Sequence, residues 1–443
     1  MKPYPKYKSS KAIWIDKVPV HWNTIRARFL GQFSKGKGIS KKDCISEGKP
    51  ALLYGDIYKS FDIFFSKALH KISDETSNSS ILIGNGTLIF TGSGETLEDI
   101  GKSVVYTGDE EIYVGGDGII FEPVNSNSKF LSYLFNSHPV RSYISKKAKG
   151  EIVVHTYSSV IQDIFLPVPS LQEQKSIVDF LDERVSLLNE TIADKEKLLN
   201  LYEEEKKAII NQGITKGIDP NVKLVDSGVE WLGYIPEHWE IKKLKYLVNE
   251  KLMYGANESA SDDNPENPRY IRITDFGEDG KLKDNTFKSL EFEKAKDYFL
   301  IEGDILFARS GATVGKTFQF SDYGGDACFA GYLIKATPDG SQITSDWLYS
   351  FTKSNAYENW KQAIFNQATI QNIGADKYSN LFVPICELKE QKEIIKNINV
   401  RFGVIEKKVN YVQKEIKFLN EYKESLIFEA VTGKIDITTH SLN

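Results

Sequence analysis

The sequence predicts an α+β protein written twice: two similar globular bodies in tandem, each followed by a long helix, with the two helices pairing as a coiled coil. Three observations carry this reading. Separated blocks recur at one offset, the segment after each body holds a sustained apolar heptad, and short strand-like runs between Gly, Asp and Asn turns fill the bodies.

The repeat comes first because it organises the rest. WIDKVPVHW at 14–22 returns as WLGYIPEHW at 231–239, and GTLIFTGSG at 86–94 returns as GDILFARSG at 303–311, both displaced by 217. LPVPSLQEQKSI at 166–177 returns as VPICELKEQKEI at 383–394, and Thr215, Ile218 and Asp219 return as Thr432, Ile435 and Asp436. Four blocks sharing one displacement mark a tandem duplication. The segments are a first body at 1–170, a helical region at 171–220, a second body at 221–387 and a second helical region at 388–443. Trp22 and Trp239 read as anchors at the entrance of each body. His21 and His238, between Pro or its neighbour and Trp, read as packing groups rather than catalytic ones.

Within the bodies, ALLYGDIY, TLIFTG, KSVVYTG and GIIFEPV in the first, and RYIRITDF, DILFARS, KTFQF and AGYLIKATP in the second, read as strands of a hairpin-rich mixed fold. The run SGATVGKT at 310–317 comes close to a phosphate-cradling loop. That loop needs four residues between its first glycine and Gly-Lys, and a helix after it. Here three residues separate Gly311 from Gly315, the first copy has six between Gly94 and Gly101, and TFQF continues as a strand. A β-hairpin with glycines at positive φ is the expectation.

The loops between the repeated blocks differ, so one scaffold presents two sets of side chains. Arg, Lys, Asn and Gln pair with base edges and phosphates. The candidate nucleic-acid contacts are Lys35, Lys37, Lys41, Lys42, Thr91, Ser93 and Lys102 in the first body. In the second they are Arg269, Tyr270, Arg272, Arg309, Ser310, Lys316, Gln367, Gln371 and Asn372.

The tails repeat every three and four residues. The first seam runs through Val178, Leu181, Val185, Leu188, Ile192 and Leu199, with Lys195 and Lys206 occupying seam positions. The second runs through Ile395, Ile398, Phe402, Ile405, Val409, Val412, Ile416 and Leu419. A narrow stripe of this length asks for an equally long partner, and each helix supplies the other's. An antiparallel pair would set the bodies at opposite ends and a parallel pair at the same end; the pattern leaves both open. The lysines are expected to snorkel at the seam edge.

Bulk properties narrow the function. With 56 basic and 61 acidic residues the net charge is −5, which disfavours indiscriminate nucleic-acid binding. Cys44, Cys328 and Cys386 are too scattered for a disulfide framework or a zinc site. No metal site is expected. No apolar run reaches the roughly 18 residues of a membrane span, and MKPYPKYKSSKAIW lacks the apolar core of a secretory leader, so the chain is read as cytoplasmic. No Asn-Pro-Pro-Tyr or Asp-Pro-Pro-Tyr methyl-transfer motif, GxGxxG, HExxH or GxSxG motif occurs.

The ordered, duplicated set of P-x-H-W entry, GDILF-x-R-S-G hairpin with its Gly-Lys sequel, P-x-P-x-L-x-E-Q junction and heptad helix resembles the specificity subunit of type I restriction–modification systems, over essentially the whole chain. The first hairpin, TGSGETLEDIGK, is longer than usual for that family, and Ile385 and Cys386 stand where proline is common. The resemblance implies two target-recognition domains joined by antiparallel helices, each reading one half of a bipartite site in double-stranded DNA. It implies a non-catalytic chain that recruits two modification subunits, which methylate adenine with S-adenosylmethionine, and restriction subunits that use ATP; this chain would bind no cofactor. Residues 221–387 carry an excess of acid, so partner subunits are expected to supply much of the positive groove. The rival reading is a protein-interaction scaffold with two unlike ligand-binding domains and no DNA. The missing motifs oppose a self-sufficient methyltransferase.

If the helices set the gap between half-sites, one heptad inserted after Ile192 and another after Val409 lengthens the rod by about 10 Å at 1.5 Å per residue. At 3.4 Å per base pair this adds about 3 base pairs to the spacer of the methylated motif. Sequencing the methylated sites checks it; an active variant with the parental spacer refutes the ruler.

Overall fold

The computed structural model describes residues 2–150, 154–277, 280–311, 313–366 and 372–438. The chain divides into two compact units, Met1–Lys195 with Lys414–Asn443, and Glu196–Gln413. These do not follow the four consecutive segments of the sequence reading. Each unit takes part of both long helices, α1 (Leu171–Lys216) and α2 (Leu388–Val431).

In the first unit the strand Leu88–Thr91 is central because its residues are all buried. It pairs antiparallel with Ser103–Tyr106 on one side and Gly118–Pro123 on the other; Gly31–Lys35 and Phe64–Phe65 complete five strands. A second five-stranded sheet contains Lys49–Leu52 running parallel to Ile112–Val114. The helices Ser128–Asn136 and His138–Ser145 bury Phe130, Leu131, Leu134, Val140 and Ile144 in the core.

The second unit repeats this plan. Ile305–Ala308 lies between Thr317–Gln319 and Leu333–Ala336, with Met253–Tyr254 at the edge. Arg269–Ile271 runs parallel to Ala327–Phe329. Helices Ser345–Phe351 and Asn355–Phe365 begin 217 residues after their counterparts.

The repeated sequence blocks are the frame of each unit. Asn23–Arg26 pairs with Phe165–Val168, and Glu240–Lys243 with Phe382–Ile385, in the same register. The adjoining Glu-Gln pair then ties three elements together. Glu173 accepts from Trp22 Nε1 at 3.0 Å and sits 3.1 Å from His21 Nε2; Glu390 accepts from Trp239 Nε1 at 3.0 Å and sits 3.0 Å from His238 Nε2. Gln174 accepts from the backbone N–H of Asn127 and donates to the carbonyl of Pro169. Gln391 does the same with Thr344 and Cys386. Asn127 and Thr344 are themselves N-caps, accepting from Phe130 and Trp347. The histidines are therefore packing groups, as their repetition beside Trp predicts.

In the first unit Ile177, Val178, Leu181 and Val185 of α1 share a core with Leu426, Ala430 and Val431 of α2, and Lys195 Nζ reaches Glu415 at 2.7 Å. In the second unit Ile209, Ile210 and Ile214 of α1 share a core with Ile394, Ile395, Ile398 and Ile405 of α2. Numbers rise along one helix as they fall along the other, so the pair is antiparallel. All the seam residues named above are buried or half-buried. Lys195 and Lys206 lie at the seam edge, the second with its ammonium 6.0 Å from the Phe402 ring centre. Gly213 permits close approach: a Cβ there would stand 2.9 Å from Ile398 Cδ1.

Each helix end also closes a body entrance. Gly433, at φ +70°, lies against Pro19 and Trp22; Gly217, at φ +74°, lies near Trp239 and Pro236. In the first unit the Asp436 N–H donates to the Lys2 carbonyl at 2.8 Å.

Glu173 is 6 % exposed and also accepts from the Tyr4 hydroxyl at 2.6 Å, whereas the half-buried Glu390 has the Cys386 thiol, a weaker donor, as its further partner. Glu173→Ala is expected to cost about 3 kcal/mol, since it strands two buried donors, and Glu390→Ala about 1–2 kcal/mol. Denaturant unfolding of the two variants checks the order; equal losses would refute it.

Candidate nucleic-acid interface

The hairpin that raised the phosphate-loop question is built by two glycines. The turn between Ile305–Ala308 and Thr317–Gln319 holds Gly311 at φ +86° and Gly315 at φ +80°, where a side chain is strained. Ala308 and Lys316 close it, the Ala308 N–H donating to the Lys316 carbonyl at 2.8 Å. A strand, not a helix, follows Lys316, so no helix N-terminus faces an anion here.

Arg309 stands at the root of this turn. Its guanidinium lies 4.9 Å from the centre of the Tyr254 ring. Among the described residues no carboxylate pairs with it. Its backbone is fixed on both sides: its N–H donates to Tyr332 and its carbonyl accepts from Ile373, both at 2.9 Å. The Tyr254 hydroxyl accepts from the Ala375 N–H at 2.9 Å, which holds the ring in place. Ser310 bridges to Asn372 across the edge.

The family model for the type I restriction modification DNA specificity domain matches residues 19–201 and again 236–410. The chain belongs to that family. The two specificity domains begin 217 residues apart, the displacement of the internal repeat. The type I restriction enzyme MjaVIII specificity subunit of Methanocaldococcus jannaschii is 23% identical over 95% of this chain and 94% of its own length. The EcoBI specificity subunit of Escherichia coli is 23% identical over 66% of this chain, and the match spans 63% of that relative. The fold is shared with a chain from a solved type I R-M system at TM-score 0.71, 15% identity, covering 95% of this chain and all of that one. It is shared with the HsdS subunit from Thermoanaerobacter tengcongensis at TM-score 0.52, 16% identity, covering 94% and 98%.

On the specificity domains the candidate residues divide sharply. Lys35, Lys37, Lys41 and Lys42 are exposed and form no ion pair among the described residues. Arg309, Ser310 and Lys316 are half-buried and Asn372 is exposed. Gln367 and Gln371 lie outside the described residues.

The remainder are consumed by the fold and leave the candidate interface. Thr91 is fully buried, donating to the Asp99 carbonyl and accepting from the Lys102 N–H. Ser93 is buried against His155 Nδ1 at 2.9 Å. The Lys102 ammonium points inward to the Phe61 carbonyl, and burial pushes its pKa down. Arg269, 5 % exposed, donates to the Lys283 carbonyl at 2.6 Å; Tyr270 donates to the Ala256 carbonyl at 2.7 Å; Arg272 forks onto Asp275. Arg269 and Tyr270 lie on the strand Arg269–Ile271, buried throughout, and Arg272 follows it, so polar identity there serves internal bonds.

Sequence reasoning missed His155, Tyr157, Tyr254 and Tyr332, all at least partly exposed around the two hairpin roots. His155 could have been found, because it lies 217 residues before Asn372.

Lys316 shares its surroundings with Lys353, whose ammonium donates to the Thr317 carbonyl and hydroxyl at 3.1 and 3.0 Å. The first domain makes the same helix-to-strand tie with Asn136 and Ser103, using no charge. Burial first, then the charges of Lys316 and Lys361, push Lys353 from 10.5 down to about 8. Between those values the unfolded chain holds the proton and the folded chain does not. Stability of this tie therefore rises with pH from about 8 to 10.5. Lys353→Asn is expected to raise stability at pH 7, on the order of 1–3 kcal/mol, and to flatten the rise above pH 8. Unfolding measured from pH 7 to 10.5 checks this; an unchanged slope would refute it.

Proposed function

We propose that this chain is the sequence-reading subunit of a type I restriction–modification assembly, each domain recognising one half of a split duplex site. The observation that carries the reading is the doubled frame: the Glu-Gln ties to the entry His, the entry Trp and the body-helix N-cap recur in the two domains, while the exposed loops they support differ. A protein with two copies of one scaffold and two sets of exposed groups is suited to read two unlike sequences in one ligand. The chain itself performs no chemistry. Adenine methylation with S-adenosylmethionine belongs to modification subunits, and ATP-driven cleavage to restriction subunits.

The helices support the recruiting role. Val400, Val404 and Tyr411 on the second unit's part of α2, and Phe418 and Tyr422 on the first unit's part, are all more than half exposed. They fall every four or seven residues, on a face the seam does not use. Exposed aromatics at helical spacing serve a helical partner. Two modification subunits are the partners this reading assigns to them.

The test is reconstitution. Alone, the chain should neither methylate DNA nor release phosphate from ATP. With modification subunits it should methylate adenine in a motif of two half-sites separated by a fixed spacer. The double variant Tyr411→Glu with Phe418→Glu should weaken modification-subunit binding by a factor of roughly 30 or more, as loss of aromatic hot spots does. Phosphate release by the chain alone that Lys316→Ala abolishes, or a single undivided motif, would overturn the reading.

A further inference from the structure

The two hairpin roots can be superimposed residue by residue through their strand registers. In the first domain Thr91 faces Gly118, and Ile119 faces Lys35. In the second Ala308 faces Leu333, and Ile334 faces Tyr254. The backbone bonds beyond these pairs are the same. The Gly92 N–H donates to the Asp117 carbonyl, as Arg309 does to Tyr332, and all these bonds are 2.9 Å. The Gly92 carbonyl accepts from Thr156, as that of Arg309 does from Ile373. Ser93 faces His155 where Ser310 faces Asn372.

One sheet edge thus has a conserved backbone and exchanged side chains. Gly92 stands where Arg309 stands, Lys35 where Tyr254 stands, Asp117 where Tyr332 stands, and His155 where Asn372 stands. Lys35, His155 and Asn372 are exposed, and Tyr332 is 65 % exposed. At the Glu-Gln frame the pattern is opposite: the side chains repeat and carry internal bonds. Selection for stability alone has no reason to hold a backbone fixed while exchanging its outward groups for ones of different chemistry.

We propose that this edge is where each domain reads bases, and that Arg309 reads a guanine in the second half-site. The inference rests on the recognition role proposed above. Arg309 fits the task. Its fork of donors matches O6 and N7 of guanine in the major groove. The Tyr254 ring holds the guanidinium in position, so little rotamer freedom remains to be lost on binding. In the first domain the edge has no arginine. There Ser93 engages His155 at Nδ1, which leaves Nε2 for an outside partner.

The experiment assembles the wild-type chain, Arg309→Ala, Arg309→Lys and His155→Ala with modification subunits and sequences the methylated adenines. Circular dichroism and melting of each variant confirm folding. Arg309→Ala should relax one G·C pair in one half-site, with discrimination there falling roughly ten- to a hundredfold. Arg309→Lys should relax the same pair, because an ammonium keeps the charge and loses the fork. His155→Ala should alter only the other half-site. If Arg309→Ala weakens methylation evenly at every site, or Arg309→Lys keeps full discrimination, Arg309 is a phosphate contact and the assignment falls. If both substitutions affect the same half-site, the equivalence of the two edges falls. If the wild-type assembly shows no bipartite motif, the recognition role itself fails, and this inference with it.

Discussion

Each half of the molecule depends on one carboxylate. Glu173 and Glu390 sit in the first turn of their long helices and hold the entry His-Trp pair of their own domain. A carboxylate buried as Glu173 is, or half-buried as Glu390 is, is costly unless its oxygens are used. Here Trp and His, with Tyr4 in one case, use them. The neighbouring glutamine fixes the N-cap of the first body helix. Two consecutive residues therefore set the position of the entry strand, the helix that covers the sheet, and the axis of the long helix.

This explains how the domains diverge without losing their architecture. The entry His-Trp pair and the Glu-Gln pair belong to the repeated blocks, and apart from the N-caps Asn127 and Thr344 the segments between them meet no such constraint. The first domain spends its intervening residues on a second five-stranded sheet, whereas the second keeps the parallel pair Arg269–Ile271 with Ala327–Phe329 and surrounds it with short turns. Lys353 and Asn136 make the same tie with different chemistry, the charged version at a cost the neutral one avoids.

The frame was legible in the sequence because it is local and repeated. The Pro-x-His-Trp and Glu-Gln blocks share one displacement, and the heptads declare the helix seam directly. The direction of the helix pair was not legible, since a seam looks the same from either end. The candidate site was legible only in part. Arg309 lies within a repeated block and could be picked out, whereas Asn372 lies outside the blocks and was a candidate only as an amide side chain. Arg269 and Tyr270 could not be recognised as interior, because polar residues on a strand buried on both faces look like polar residues in a loop. Tyr254 and Tyr332 were hidden for another reason. Insertions and deletions shift them to 219 and 215 residues from Lys35 and Asp117, so only cross-strand register reveals the equivalence.

The division of the chain also fixes an order of events during synthesis. The second unit is continuous in sequence, and everything its core requires leaves the ribosome in one stretch. The first unit is interrupted: Trp22, Ile177 and Leu181 share a core with Leu426, Ala430, Val431 and Ile435. At the usual 5–20 residues per second, the more than 200 intervening residues take roughly 10–50 s to appear. Throughout that interval the domain made first carries an open apolar wall, and the domain made second can already be complete.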